Sequence, residues 1–357
     1  MSEVVDPRGF VSQWRRRKSA AFDLRANSTA GAAVDLELWG RAVSVYGNAN
    51  FSVYSAQVCN ARCRFCVEEL RPASRGHELA RQRTVESDDA AYFAALEASL
   101  EALRPLAPTI SITGGEPSKD PRLPQILALC SRYPSKRRSL TTNGSGLLDV
   151  HAGAPLIQHI VNAGVEHLNI SRAHPDHDHN ARLMVFREGL QLEQLREVVA
   201  FASAGGCRTR LSCVLVERAI DSLAGIRAYL DFAAELGVDN VIFRQLMHVD
   251  RESVAQNFVV AFSDRMRTQL EPLLDQISDA PDFEFQRQIV GYYYYVEVWR
   301  YRGIDVVFEE ADLAQLERTK QTMPGVIHEL IFHPNAKLAS TWQPWDGVLG
   351  PPARVPA

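Results

Sequence analysis

Three cysteines fall within eight residues, in the run Cys59-Asn60-Ala61-Arg62-Cys63-Arg64-Phe65-Cys66. Thiolates this close can wrap one face of a metal centre, and in a reducing compartment the cluster reads as metal binding before disulfide formation. Cys130, Cys207 and Cys213 are isolated in apolar or mixed surroundings, where a free cysteine behaves as a small hydrophobe. A structural zinc site needs a fourth protein ligand, normally from a second C-x2-C pair, and a ferredoxin-type cluster needs four cysteines at its own spacing. This sequence completes neither pattern. What fits is an iron–sulfur cluster with one iron left open to something other than protein. A non-enzymatic zinc or iron–sulfur binding protein is the rival reading from another class.

Other groups could act beside such a centre. In Gly114-Gly115-Glu116-Pro117, two residues without side chains let a ligand approach the backbone, and Glu116 is a charged acceptor for an ammonium. Taken alone, Gly-Gly is also a tight turn. Asn143-Gly144 likewise serves either as a turn or as a polar contact after a strand. The run His174-Pro175-Asp176-His177-Asp178-His179 carries good metal donors, but consecutive residues in a Pro-containing loop cannot all aim at one point. It reads as a polar loop, with His174 as a substrate contact. Glu68, Glu69 and Arg71 follow the last cysteine in a charged stretch that continues through Arg75 and His77 to Arg83. That stretch is a site for a polar substrate or a solvated connector. Of Arg244 and Gln245, strand alternation allows only one to face a site.

The elements that must position these groups alternate along the chain. Short β-prone runs at 51–57, 109–113, 138–142, 167–172, 210–216 and 240–247 are separated by helical stretches, including 90–103, 123–131, 190–204 and 221–236. Repeated strand-then-helix units argue for a parallel sheet with crossover helices, in which loops at the C-terminal strand ends carry the chemistry. By alternation Asn169, Ser171 and Ser212 face inward, Arg172 lies at the rim and Cys213 points outward. Beyond Met247 the pattern changes to helix over 253–277, strand over 283–310 and a hairpin around Pro334-Asn335. The aromatic run Tyr292–Tyr295 reads as the packed face of a sheet. The expected organisation is an N-terminal extension (1–50), an α/β core (51–250) and a C-terminal helix plus β-hairpin cap (251–357).

Together, C-x3-C-x2-C with Phe65 before its last cysteine and Gly-Gly-Glu-Pro after the next strand resemble the radical S-adenosylmethionine (radical SAM) superfamily. The resemblance implies a partial (β/α)6 TIM-type barrel, here with a C-terminal β-rich cap. It implies a 4Fe–4S cluster on Cys59, Cys63 and Cys66, with S-adenosylmethionine on the open iron. Contacts to that cofactor are implied for Phe65, Gly114, Gly115, Glu116, Asn143, Ser171 and Arg172. Glu68, Arg71, His174 and Arg244 are then the candidates for touching substrate. The family's chemistry is reductive cleavage of S-adenosylmethionine to a 5′-deoxyadenosyl radical that removes a substrate hydrogen atom, with electrons from a donor such as flavodoxin or ferredoxin. No cysteine follows Cys213, whereas the family's peptide-modifying branches commonly carry further clusters there. A small polar metabolite, such as a sugar or sugar nucleoside, is therefore the expected substrate, and a peptide- or protein-modifying or activating enzyme is the alternative. The layout and Arg-rich coding are similar to enzymes of nucleoside-antibiotic pathways, including the one that decarboxylates cytosylglucuronic acid. In such a lyase reaction, hydrogen abstraction precedes loss of carbon dioxide, and Arg71 or Arg244 holds the carboxylate.

Composition removes other classes. The 357 residues are 46% hydrophobic and 23% charged, which is the balance of a globular enzyme and not of a disordered or fibrous chain. A formal charge of −4 provides no global field for a phosphate backbone, so nucleic acid is not an expected partner. No run reaches the ~18 apolar residues of a membrane span. Arg15, Arg16, Arg17 and Lys18 are not followed by the apolar core of a secretory signal, so the expected location is cytoplasmic.

Overall fold

In the computed structural model of the chain, the described residues are 12–26, 32–56, 58–70, 85–186, 188–247, 257–311 and 319–350. Helix α1 (Gln13–Ala26) precedes the antiparallel pair β1 (Ala33–Leu38) and β2 (Arg41–Tyr46). The core then runs β3 (Asn50–Ser55), α2 (Asp89–Ala102), β4 (Thr109–Gly114), α3 (Leu123–Cys130) and β5 (Arg138–Thr142). A small hairpin, β6 (Val150–His151) and β7 (Ala154–Pro155), leads into α4 (Leu156–Asn162) and β8 (His167–Ser171). Next come α5 (His177–Met184), α6 (Leu192–Ala204), β9 (Arg208–Leu215), α7 (Leu223–Glu235) and β10 (Asn240–Gln245).

Six of these strands, in the order β10-β9-β8-β5-β4-β3, are parallel neighbours in one sheet. Alternation explains why they hold helices on one side. Ile110 and Ile112, Leu140, Leu168 and Ile170, Leu211, Cys213 and Leu215, and Val241 and Phe243 belong to one buried core with Leu96, Leu127, Ile160, Val198 and Leu230 from the helices. The opposite parity is mostly polar, with Ser111, Thr113, Thr141, Asn169, Ser171, Arg210, Ser212 and Arg244, and carries Val214 and Ile242 on β9 and β10. Cys213 is thus a core thiol on the helix side, as its parity predicts.

The C-terminal part is not a cap laid over the core. After α8 (Phe258–Met266) and α9 (Leu270–Ser278), the chain forms an antiparallel meander of β11 (Phe283–Val290), β12 (Tyr294–Tyr301) and β13 (Ile304–Ala311). Strand β13 pairs in parallel with β10, so the meander continues the sheet. At the other edge, after β14 (Val326–Ile327) beside β2, strand β15 (Leu330–Phe332) pairs in parallel with β3, followed by β16 (Leu338–Ala339) and β17 (Val348–Gly350). The result is a 12-stranded mixed sheet whose ends, β11 and β17, do not pair with each other. The single helix expected over 253–277 is two, because Arg267 turns extended and its guanidinium bonds the Leu246 and Met247 carbonyls at 2.9 and 2.6 Å. Tyr295 is buried in the core, in line with a packed aromatic face. Among the described residues, no helix is long and apolar enough to cross a membrane.

The N-terminal cations are tied to this late-formed sheet. Arg17 donates to both oxygens of the fully buried Glu297, at 2.8 and 3.2 Å, and Glu297 also accepts from Tyr295 Oη (2.7 Å) and Trp299 Nε1 (3.0 Å). Arg15 pairs with Glu271 and Lys18 with Glu310.

Candidate active site at the ends of strands β3, β4 and β5

The three clustered cysteines leave the C-terminal end of β3 and are all partly buried. Burial pushes the Cys59 thiol up, and Cys63 further still, with Cys66, Cys59 and Glu116 adding repulsion against a second negative charge. Among the described residues, no three His, Cys, Asp or Glu side chains are arranged to hold one metal ion. Three thiols on one loop are a donor set that an iron–sulfur cluster can use, each thiolate serving its own iron.

The loop is seated by its neighbours. Arg62 and Arg64 donate backbone N–H groups to the carbonyls of Met184 and Leu183, at the end of α5. Cys59, Cys63 and Phe65 pack with Ala61, Ala173, Met184 and Phe186, and Phe65 also touches a second apolar group containing Val214, Val216 and Leu246. Phe65 thus wedges the cysteine loop against the ends of β9 and β10.

Glu116 is 1% exposed. Its Oε1 accepts from Ser118 N (2.8 Å), Ser118 Oγ (2.6 Å) and Thr142 Oγ1, and its Oε2 accepts from Asn143 N (2.7 Å). Burial pushes its carboxyl above the usual range in spite of these bonds. Glu116 therefore knits the end of β4 to the end of β5, and Oε2 retains acceptor capacity for one more donor. Gly114 has φ +134°, and a Cβ there would lie 2.6 Å from Ser55 N, so its missing side chain admits the close approach of β3. Gly115 follows in the bend, half-buried.

Asn143 links the two motifs. Its Nδ2 donates to Asn60 Oδ1 at 2.8 Å and lies 3.8 Å from Cys59 Sγ, while its Oδ1 accepts from Ser145 N. Two anchoring residues escape sequence reasoning. Asn60 lies inside the cysteine run and also donates to Glu188 (2.8 Å) and Ser145 (3.1 Å). Asp120, buried, accepts from Ser55 Oγ (2.7 Å), Ala56 N (3.2 Å) and Arg122 N (2.9 Å), tying the last residues before the cysteine loop to the turn after β4. The one available signal for Asp120 was an acid placed just past Gly-Gly-Glu-Pro, and it sits among other polar residues, Ser118, Lys119 and Arg122, that mask it.

The remaining candidates separate. Ser171 ends β8 on the polar face, half-buried. Arg172 is not at the rim: its guanidinium lies over the Phe232 ring at 5.1 Å and donates to Pro175 O (2.8 Å), while its carbonyl accepts from Tyr229 Oη. Two residues beyond Ile170 it keeps the helix-side parity, and there it is buried and its pKa is depressed by that burial. The His/Asp run is not a loop throughout, because Asp176 caps α5 by accepting from His179 N at 2.7 Å, which makes His177–His179 its first turn. His174 stacks on His179 with centroids 4.0 Å apart and accepts from Asp176 N. Glu68 sits on the short 3-10 turn directly after Cys66, half-exposed. Arg71, Arg75, His77 and Arg83 lie outside the described residues. Arg244 faces the polar side, donating to Glu309 (3.0 Å) and Ser212 (2.8 Å), while Gln245 turns away to accept from Leu270 N.

No known family profile matches the chain, and no curated protein matches it. Among solved structures, it is similar to Streptococcus suis SuiB bound to the precursor peptide SuiA, at a TM-score of 0.42 and 17% identity over 56% of this chain and 40% of that one. It is also similar to native anSMEcpe with bound AdoMet (0.39, 12% identity, 55% and 50% covered). A third is coproporphyrinogen III oxidase (HemN) from Escherichia coli, described as a radical SAM enzyme (0.39, 14% identity, 66% and 52% covered). The chain spans about half or less of the length of each of these proteins. Likeness at this level carries no argument about activity or substrate.

Proposed function

We propose that this chain is a radical SAM enzyme acting on a small polar metabolite. The observation that carries the reading is the junction of β3, β4 and β5. There a three-cysteine loop, the Gly-Gly-Glu-Pro turn and Asn143 stand side by side through direct hydrogen bonds. On this reading the six parallel strands curve into a partial barrel with its polar face as the lumen. Cys59, Cys63 and Cys66 would hold a 4Fe–4S cluster, and the donor set fits it: three free, partly buried thiols on one loop. When bound, the cluster and S-adenosylmethionine supply the one-electron chemistry that generates a 5′-deoxyadenosyl radical.

The chain's own residues do the rest. The buried thiols keep their protons until a metal displaces them, so loading releases protons and is favoured by higher pH. Asp120, Asn60 and Asn143 hold the loop in place, which would fix the orientation of a cluster bound to its cysteines. Glu116 Oε2 and the backbone around Gly115 offer acceptors to the ammonium of S-adenosylmethionine. Phe65 and the apolar ends of β9 and β10 exclude water beside the loop. Electrons would come from a flavodoxin- or ferredoxin-type donor. The substrate reading, a sugar or sugar nucleoside and with it a decarboxylation, is supported by the polar, arginine-bearing face opposite the helices.

The test is anaerobic reconstitution of the full chain, followed by iron and sulfide analysis and chromatography for 5′-deoxyadenosine after addition of S-adenosylmethionine and dithionite. The expected result is about four irons per chain with 5′-deoxyadenosine formed, both lost in Cys63→Ala. Stoichiometric zinc with no cleavage would overturn the reading.

A further inference from the structure

The polar face of the parallel sheet is ordered in rows. Thr141, Asn169 and Arg210 stand in register across β5, β8 and β9. Asn169 Nδ2 donates to Thr141 Oγ1 at 3.3 Å, and its Oδ1 is buried with no hydrogen-bond partner. One row toward the cysteine loop, Ser171 pairs with Ser212. Beyond that, Val214, Arg244 and Glu309 form another row, in which Glu309 comes from β13.

The charges on this face are unevenly answered. Arg208 is held by Asp239 (2.9 Å) and Asp305 (2.8 Å), and Arg244 by Glu309 (3.0 Å). Arg210 has no carboxylate partner among the described residues; its Nε donates to the neutral Asn240 Oδ1. It is largely buried, and its surroundings are mostly cationic: Arg244, Arg137 and Arg208 all disfavour its charge, with Glu309 alone opposing them. Burial and these neighbours bring its pKa to about 10, so it stays charged at neutral pH. His167, also near Arg210, is pushed to about 4 by burial and then by Arg210, so it is neutral there. A half-buried guanidinium beside further arginines costs stability unless an anion completes it.

We infer that Arg210 anchors a subsite for an anionic group of the substrate, a carboxylate or a phosphate, with Arg244 and the Ser212 hydroxyl as its wall. Arg244 is positioned for this by two bonds, to Glu309 and Ser212, that aim its guanidinium across β9. Val214, the β9 neighbour of Arg244, packs against the same apolar cluster of Val216, Leu246 and Phe262 as Phe65, which links this end of the subsite to the cysteine loop. The inference rests on the radical SAM reading for its meaning but not for its test.

Binding is measured on the full chain without reconstitution, by calorimetry and thermal unfolding, with inorganic phosphate in one arm and malonate in the other. One or both should bind and raise the unfolding midpoint, and the arm that binds more tightly names the anion class. Arg210→Gln should weaken binding about 10- to 100-fold, the loss of one charge-assisted contact pair. Arg210→Lys should keep part of the affinity, and the surface variant Arg132→Gln all of it. In anion-free buffer, Arg210→Gln should unfold no earlier than the parent, because it removes an unanswered cation; a purely structural arginine would lower the midpoint. Absence of binding by the parent, equal binding by Arg210→Gln, or a lower midpoint for Arg210→Gln without anion would each overturn the subsite. Failure of the parent to cleave S-adenosylmethionine would sink the radical reading alone.

Discussion

Replacing Asp120 with alanine should loosen the cysteine loop without touching a cysteine. Asp120 accepts three hydrogen bonds, from Ser55 Oγ at 2.7 Å, Ala56 N at 3.2 Å and Arg122 N at 2.9 Å. Arg122 is partly exposed, so water can replace the third of these. The first two lie at the buried end of β3, where losing a carboxylate acceptor costs about 1–3 kcal/mol per stranded donor. The expected loss is therefore about 2–6 kcal/mol, above the usual range for a surface change. Asp120→Asn keeps the shape and one oxygen. It can satisfy Ser55 and Ala56 while its amide opposes Arg122 N, so it should cost only about 1 kcal/mol. Urea unfolding of the unreconstituted chain measures both, and iron per chain after reconstitution should fall in the same order. Adding Ser55→Ala to Asp120→Ala should cost less than the sum of the single changes, because both remove one bond. An Asp120→Ala protein within about 0.5 kcal/mol of the parent, or one retaining full iron, would refute this account of how the loop is held.

Two further outcomes follow from buried carboxylates. Burial raises the Glu116 carboxyl above its unfolded value, so its contribution to stability is greatest below the unfolded pKa and declines as pH rises through the folded one. The stability of the parent relative to Glu116→Gln should therefore fall between acid and neutral pH, and a pH-independent difference in urea unfolding would contradict this. At the other end of the sheet, Arg17→Ala should cost about 3–5 kcal/mol by leaving Glu297 charged and buried, while the double variant Arg17→Ala with Glu297→Gln should recover part of that loss in thermal unfolding.

Much of the core was legible because its cause is local. Ile110 and Ile112, or Leu168 and Ile170, alternate with polar neighbours, and that alternation alone separates the helix side of the sheet from the polar side. The same logic placed Cys213 among the helices and let only one of Arg244 and Gln245 face the polar side, and the structure selects Arg244. The rim placement expected for Arg172 did not hold, because past the strand end it keeps the helix-side parity of Leu168 and Ile170. The cap of Asp176 on α5 was also missed, obscured by Pro175 and the histidines around it. The partners of the late strands were not legible at all. Nothing in Ile304–Ala311 says that it pairs in parallel with β10, because such pairing depends on residues far away in the chain. Asp120 and Asn60 were missed for a related reason: their bonds cross between strand-end loops that sequence spacing does not relate.

The pairing of β15 with β3 also bears on the order in which the molecule can be built. Strand β3 leads directly into the cysteine loop, yet one of its two flanking strands is translated only after β13. A nascent chain that has exposed all three thiols still lacks that edge, and long-range pairing of this kind is the slow part of folding. During synthesis the thiols therefore sit on an incompletely flanked strand, open to oxidation and to adventitious metal. On the proposed function, iron loading belongs after translation, once residues 330–332 have closed the edge beside the loop.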